Sequence, residues 1–133
     1  MSIRIVKDNS DEIIKEMLQK KAKVLEKWGL IAERYAKEEC PVNTGRLHDS
    51  ITYATNIKHS TGGPQAEPDD YKTKATPDES ECHVGTNVEY AEVVETSDTA
   101  RHKVGRSHFL RDSVAKHESE YFEEMDKEFK GFL

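Results

Sequence analysis

Ile14, Leu18, Ala22, Leu25, Trp28, Ala32 and Tyr35 recur at spacings of three and four, which places them on one face of a single long helix. Asn9 followed by Glu12 resembles a capping box and sets its start. The other face carries Glu12, Glu16 and Lys20 in steps of four, then Lys23, Lys27, Glu33 and Lys37. Such pairs add about 0.2–0.5 kcal/mol each, so the apolar stripe decides where the helix packs. A stripe of this length can also serve a partner subunit. Gly29, beside Trp28, weakens the helix by about 1 kcal/mol relative to alanine and marks a bend or a close helix contact. Pro41 lacks an amide donor and cannot continue the helix, so the chain breaks near Cys40.

Beyond this break the rhythm shortens. Thr44 offers its hydroxyl to the free amides of a short helix, with Leu47 and Ile51 one turn apart. Ile51, Tyr53, Thr55 and Ile57 then alternate, the pattern of a strand with one buried face. From His59 to Ser80 the pattern dissolves, Gly62-Gly63-Pro64 reads as linker, and a mobile hairpin arm between two antiparallel strands is predicted. The second strand is Glu81–Thr86, with Cys82 and Val84 on one face. Val88–Glu95 fits both a strand and a helical face; Asn87 as a cap and the Ala91-Glu92 pair favour a short helix. A second polar loop, 96–108, precedes a closing helix capped by Ser107, in which Leu110, Val114, His117, Tyr121, Met125 and Phe129 keep the three-four rhythm. Its acidic side, Glu120, Glu123, Glu124, Asp126 and Glu128, reads as a solvated face. At the other end, Ile3 and Ile5 alternate with polar residues and give either a short strand or a frayed end; residues 1–8 are read as a flexible N-terminus.

Composition changes this picture in one respect. The 133 residues suit a single domain, 1–133, yet hydrophobic and charged residues each make up 35%. With a mean hydropathy of -0.85, part of the chain is loop or is buried only in an assembly. The formal net charge of -6 argues against a general affinity for nucleic acid, whose phosphates demand clustered Lys and Arg. The start of the chain, Met-Ser-Ile-Arg-Ile-Val-Lys, has no apolar core of signal-peptide length, and no apolar run is long enough to span a membrane. A reducing cytoplasm with Cys40 and Cys82 as free, ordinary buried thiols is therefore expected.

Candidate chemistry is sparse. Cys82-His83 is the closest approach to a metal pair, but adjacent strand residues point to opposite faces. Nothing around either cysteine suggests an activated thiolate, and pairs such as Asp69-Asp70 or Glu92 and Glu95 are commonplace among 26 acidic residues. No catalytic, cofactor-binding or metal site is predicted, and a cysteine hydrolase is the third-ranked reading. The basic group Arg101, Lys103, Arg106 and Arg111 is the one local surplus suited to a partner. It serves either an acidic protein surface, such as the closing helix of a neighbouring copy, or DNA phosphates. The latter is the alternative reading, a small nucleic-acid-associated regulator using residues 101–111.

The order of pieces carries more than any one of them. Thr44-Gly45-Arg46-Leu47 with Ser50-Ile51 is followed by Val84-Gly85, by Tyr90-Ala91 with Val94-Glu95, and by Phe109-Leu110. This order resembles the tail-completion or head-to-tail joining proteins of long-tailed bacteriophages and prophages, also labelled neck or minor structural proteins. The resemblance runs from Pro41 to about Val114. It departs where members commonly carry an aromatic residue and Gly-Thr after the Val-Glu pair, and proline around the Phe-Leu pair; here Thr96-Ser97-Asp98 and His108, Arg111 and Asp112 stand there. The resemblance implies an α+β fold with a long N-terminal helix and a C-terminal helix packed on a small antiparallel sheet. It also implies a non-enzymatic virion protein at the head-tail junction, assembled in the host bacterial cytoplasm. Its implied partners are further copies in a ring, expected to be a hexamer, and connector, neck and tail proteins, with DNA passing nearby without specific binding.

Overall fold

The computed structural model describes residues 2–4, 9–72, 75–97 and 105–132. Helix α1 spans Ser10–Glu39, as the apolar rhythm predicts, and stops where Cys40 turns extended ahead of Pro41. Its expected capping box does not form. Asn9 sits at φ -114° and ψ 21°, outside the extended region that aims a side chain at the first amides, and contributes only its carbonyl to Ile13 N.

The stripe along α1 is divided in two. Val24, Leu25, Gly29, Ala32 and Ala36 are buried, whereas residues 11–19 are all exposed, Ile14 and Leu18 included. The helix runs past the elements packed against its C-terminal half, and its first turns stand clear of them.

Gly45, in the left-handed region at φ 85°, swings the chain into α2, Arg46–Ser50, and Thr44 Oγ1 accepts the Arg46 amide at 3.3 Å. Strand β1, Thr52–Ala54, follows and pairs antiparallel with β2, His83–Gly85, in the register Thr52 with Gly85, Tyr53 with Val84 and Ala54 with His83. The expected strand to Ile57 is cut short. Thr55 N bonds Lys58 O at 2.7 Å, turning the chain so that Ser60 N reaches Tyr53 O at 3.0 Å, and Ile57 is left 68% exposed at the turn. The return bridges the edge of β1 between Ala54 and His59, and all three strand residues are buried.

The close contact at Gly29 is with the sheet, not with another helix. A Cβ there would stand 2.5 Å from Tyr53 Cδ2 and 2.9 Å from Cys82 Sγ, so the glycine lets α1 lie directly on the sheet. Gly62 and Gly63 are likewise a packing contact instead of a linker. A Cβ on the first would strike the Tyr71 ring and one on the second would lie 2.6 Å from Asp49 Cγ. Gly63 N bonds Asp49 O at 2.8 Å. The 59–80 segment, expected as a mobile hairpin arm, thus touches the body at Gly62 and Gly63 and holds a short helix, α3, Pro68–Tyr71.

Val88–Glu95 does turn helical, as α4, Ala91–Thr96, but Tyr90 takes the N-cap position. Asn87 instead donates its side-chain amide to Lys72 O and its backbone amide to Asp70 O. The single closing helix is in fact two, α5, Phe109–Ala115, and α6, Glu118–Phe129, with a break at Lys116-His117. His108, with φ 63°, occupies the position expected for the Ser107 cap. The break folds α6 back onto α1 and α5: Tyr121 Oη donates to Ser113 O at 2.7 Å, Trp28 Nε1 donates to Tyr121 O at 2.8 Å, and His117 stacks on Tyr35 at 3.5 Å. A rhythm of three and four persists across such a junction and does not reveal it. Ala36, Cys40, Leu47, Ile51, Val88, Ala91 and Phe109 form the core where α1, α2, α4 and α5 meet.

Candidate functional site

The residues of the ordered signature converge. Leu47, Ile51, Ala91 and Phe109 lie inside the core, with Val84, Val94 and Leu110 packed around them. Ser50 is fully buried and its Oγ donates to Leu47 O at 2.6 Å, with Thr86 Oγ1 at 2.5 Å. Glu95 links two pieces directly. Its carboxylate accepts the Leu110 and Arg111 amides, each at 2.9 Å, and its carbonyl accepts His108 N, so the end of α4 supplies the cap that α5 lacks.

Arg46 projects from the start of α2 and grips two carboxylates. Its Nε and Nη2 donate to Asp70 at 2.9 and 2.8 Å, and its Nη1 and Nη2 donate to Glu89 at 3.0 Å each. The Tyr90 ring lies 5.8 Å from the guanidinium. Asp70 is buried, and the Arg46 hydrogen bonds, followed by the Glu67 amide, hold its carboxyl below the usual range. Glu89 is also pulled down, chiefly by Arg46. No local spacing in the sequence connects Arg46 to either acid, 24 and 43 residues away.

The basic group is only partly in view. Arg101 and Lys103 lie outside the described residues. Arg106 is committed within the chain: its Nε stands 2.7 Å from Glu39 Oε2, its Nη2 3.3 Å from Asp112 Oδ2, and its amide donates to Glu39 O. Arg111 and Lys116 also approach Asp112, at 3.2 and 3.5 Å. Burial raises the affinity of Asp112 for a proton, but these three cations together hold it ionised below the usual carboxylate value. Gly105, at φ 76°, would place a Cβ 2.5 Å from the Cys40 backbone, so the end of this loop is seated against the end of α1.

The acidic side of α6 is not wholly solvated either. Glu120 bonds Arg34 at 3.0 Å and accepts from Tyr35, and Lys27 reaches Glu124 and Glu128 at 3.9 and 3.3 Å. The lysines of α1 therefore meet the glutamates of α6 inside one chain. Both cysteines are free, and burial pushes the Cys40 thiol up to about 12 and the Cys82 thiol to about 11, so neither is a thiolate nucleophile at neutral pH. Among the described residues no group of three or more His, Cys, Asp or Glu is placed to hold a metal ion, and no helix is long and apolar enough to cross a membrane.

Among the described residues two apolar features stand out. One is the first part of α1, where Ile13, Ile14, Met17 and Leu18 are 43–50% exposed, continued by Ile57. The other is a groove of about 470 Å³ with a floor of Leu25, Trp28 and Ala32, one wall from residues 80–84 and the other from Val114 and Tyr121.

This is an α+β scaffold whose signature residues build a packed junction. A family model described as "Bacteriophage HK97-gp10, putative tail-component" matches residues 4–96, and the chain belongs to that family. The match takes in α1 to α4 and the Thr44 to Glu95 part of the signature; α5 and α6, with Phe109-Leu110, lie beyond it. Searches of the curated proteins and of the solved structures return no match.

Proposed function

We propose that the protein is a structural component of the head-tail junction of a bacteriophage or prophage, acting by ring assembly and partner docking. The family match over residues 4–96 carries the reading. The exposed apolar turns of α1 support it, since four large apolar side chains on a helix extending beyond its packed body are suited to burial between copies. In this account α1, the sheet and the core form a rigid wedge, and neighbouring wedges close a ring, expected to be a hexamer. The 59–80 and 96–108 segments face the connector or the tail partner. Arg101 and Lys103 supply electrostatic pairing to that partner, while Arg106 ties the end of its loop to Glu39 and Asp112. With a net charge of -6 the chain lines the DNA passage without gripping the duplex.

The test replaces Arg101 and Lys103 together by alanine. Head-to-tail joining is lost while the circular dichroism spectrum and melting temperature stay unchanged; normal joining removes the loop from the docking scheme.

A further inference from the structure

Residues 10–19 add about 15 Å of helix ahead of the buried part of α1, and residues 11–19 are all exposed. Ile13 and Met17 form one row along this stretch and Ile14 and Leu18 the next, each 43–50% exposed. Ile57, exposed at its turn, lies beside Ile14 and Leu18. Scattered exposed side chains carry no meaning, but five large apolar ones in one patch mark a contact surface. Three turns of helix without packing are also marginal in water, so whatever covers these rows stabilises the helix as well.

The charges around the patch are ordered along the helix. Asp11 and Glu12 stand at its tip, Lys15 and Glu16 at its middle and Lys20 at its root. Among the described residues these three acids have no cation partner, and Lys20 reaches a carbonyl, Glu128 O at 3.1 Å, and the Phe132 ring, neither of which cancels its charge. Lys21 and Lys23 differ, since they face Glu79 and Glu128 at 3.9 and 3.8 Å within the chain. A second helix lying alongside in the same direction would set acidic tip against acidic tip. One lying in the opposite direction sets each tip beside the other's Lys20 and opposes the two helix dipoles. The patch is complementary to a reversed copy of itself.

We infer that the free protein pairs through this face with a second copy, the two α1 helices running antiparallel about a two-fold axis near Lys15-Glu16. Ile13 and Ile14 of one copy then pack on Met17 and Leu18 of the other. The contact is isologous, so it closes on two copies and does not propagate. It goes beyond the ring reading and does not rest on it: pairing keeps the apolar turns out of water before assembly, and parting frees them for contacts in a ring.

Sedimentation velocity of the purified full chain over a dilution series tests the pairing, with circular dichroism and melting temperature confirming that each variant is folded. The wild type is expected as a monomer-dimer equilibrium. Leu18→Asp buries a carboxylate from each copy in the contact and raises the dissociation constant about tenfold or more. Asp11→Lys/Glu12→Lys, which changes only exposed side chains, raises it several-fold at low ionic strength, and added salt removes the difference. A wild type that stays monomeric at every concentration overturns the inference and leaves the face to a different protein. Dimers undiminished by Leu18→Asp overturn the choice of face. Dimers indifferent to the reversed tip overturn the antiparallel arrangement, because parallel tips repel equally with either sign. Head-to-tail joining is read in a separate experiment, so the failure of one reading is distinguishable from the failure of the other.

Discussion

The Glu95 carboxylate accepts the Leu110 amide at 2.9 Å and thereby ties the end of α4 to the start of α5 across the second loop. A second bond, to the Arg111 amide, fixes its orientation. Replacing Glu95 by alanine leaves two helix-end amides without this acceptor and is expected to cost about 1–2 kcal/mol. Glu95→Gln keeps one acceptor and loses less. Urea unfolding followed by circular dichroism checks the order; equal stability of all three proteins would show that the cap contributes nothing.

Asp70 and Arg46 make stability depend on acid. The folded carboxyl of Asp70 is lowered from 3.8, so its contribution is fully present above that value and is lost as pH falls through the lower folded pKa. Asp70→Asn removes the paired charge and costs about 1–2 kcal/mol at pH 7, a modest figure because Arg46 is one-third exposed. It also flattens the loss of stability below pH 3.8, with Glu89 contributing in the same direction. Thermal melts of both proteins at pH 7, 4 and 3 measure this, and parallel pH profiles would contradict it.

At Gly29, helix propensity and packing oppose each other. Alanine gains about 1 kcal/mol of intrinsic helix preference but forces a methyl into the Tyr53 ring and Cys82 sulfur, an overpacking cost of about 1–3 kcal/mol. Net destabilisation is expected in thermal unfolding. A more stable Gly29→Ala protein would mean that α1 does not press on the sheet as closely as described.

The 59–80 segment is predicted from sequence to be a mobile arm, and the hydrogen bonds at its start set a direct test. Slow exchange is expected at the amides of Ser60 and Gly63, which bond Tyr53 O and Asp49 O, in contrast to the exposed turn at Ile57. Uniformly fast exchange across the segment would restore the mobile arm.

The reach of the sequence follows from the range of the interactions. The extent of α1, the corner at Pro41 and the helix at Ala91 were legible because breakers and periodicity act within a few residues. The signature order located Leu47, Ile51, Ala91 and Phe109, which meet in one core. Contacts between distant residues left no such trace. Arg46 to Asp70, Lys27 to Glu128 and Gly29 against Tyr53 depend on how the chain folds back. The half-exposed stripe on α1 looked continuous for the same reason: periodicity shows which face is apolar, not how far along it the body extends.

A role at the head-tail junction is tested most directly by electron microscopy of lysates from a phage lacking this one protein. The account predicts DNA-filled heads and full-length tails accumulating side by side, unjoined, with joining restored when the protein is supplied. Joined, infectious particles at the normal yield would contradict it.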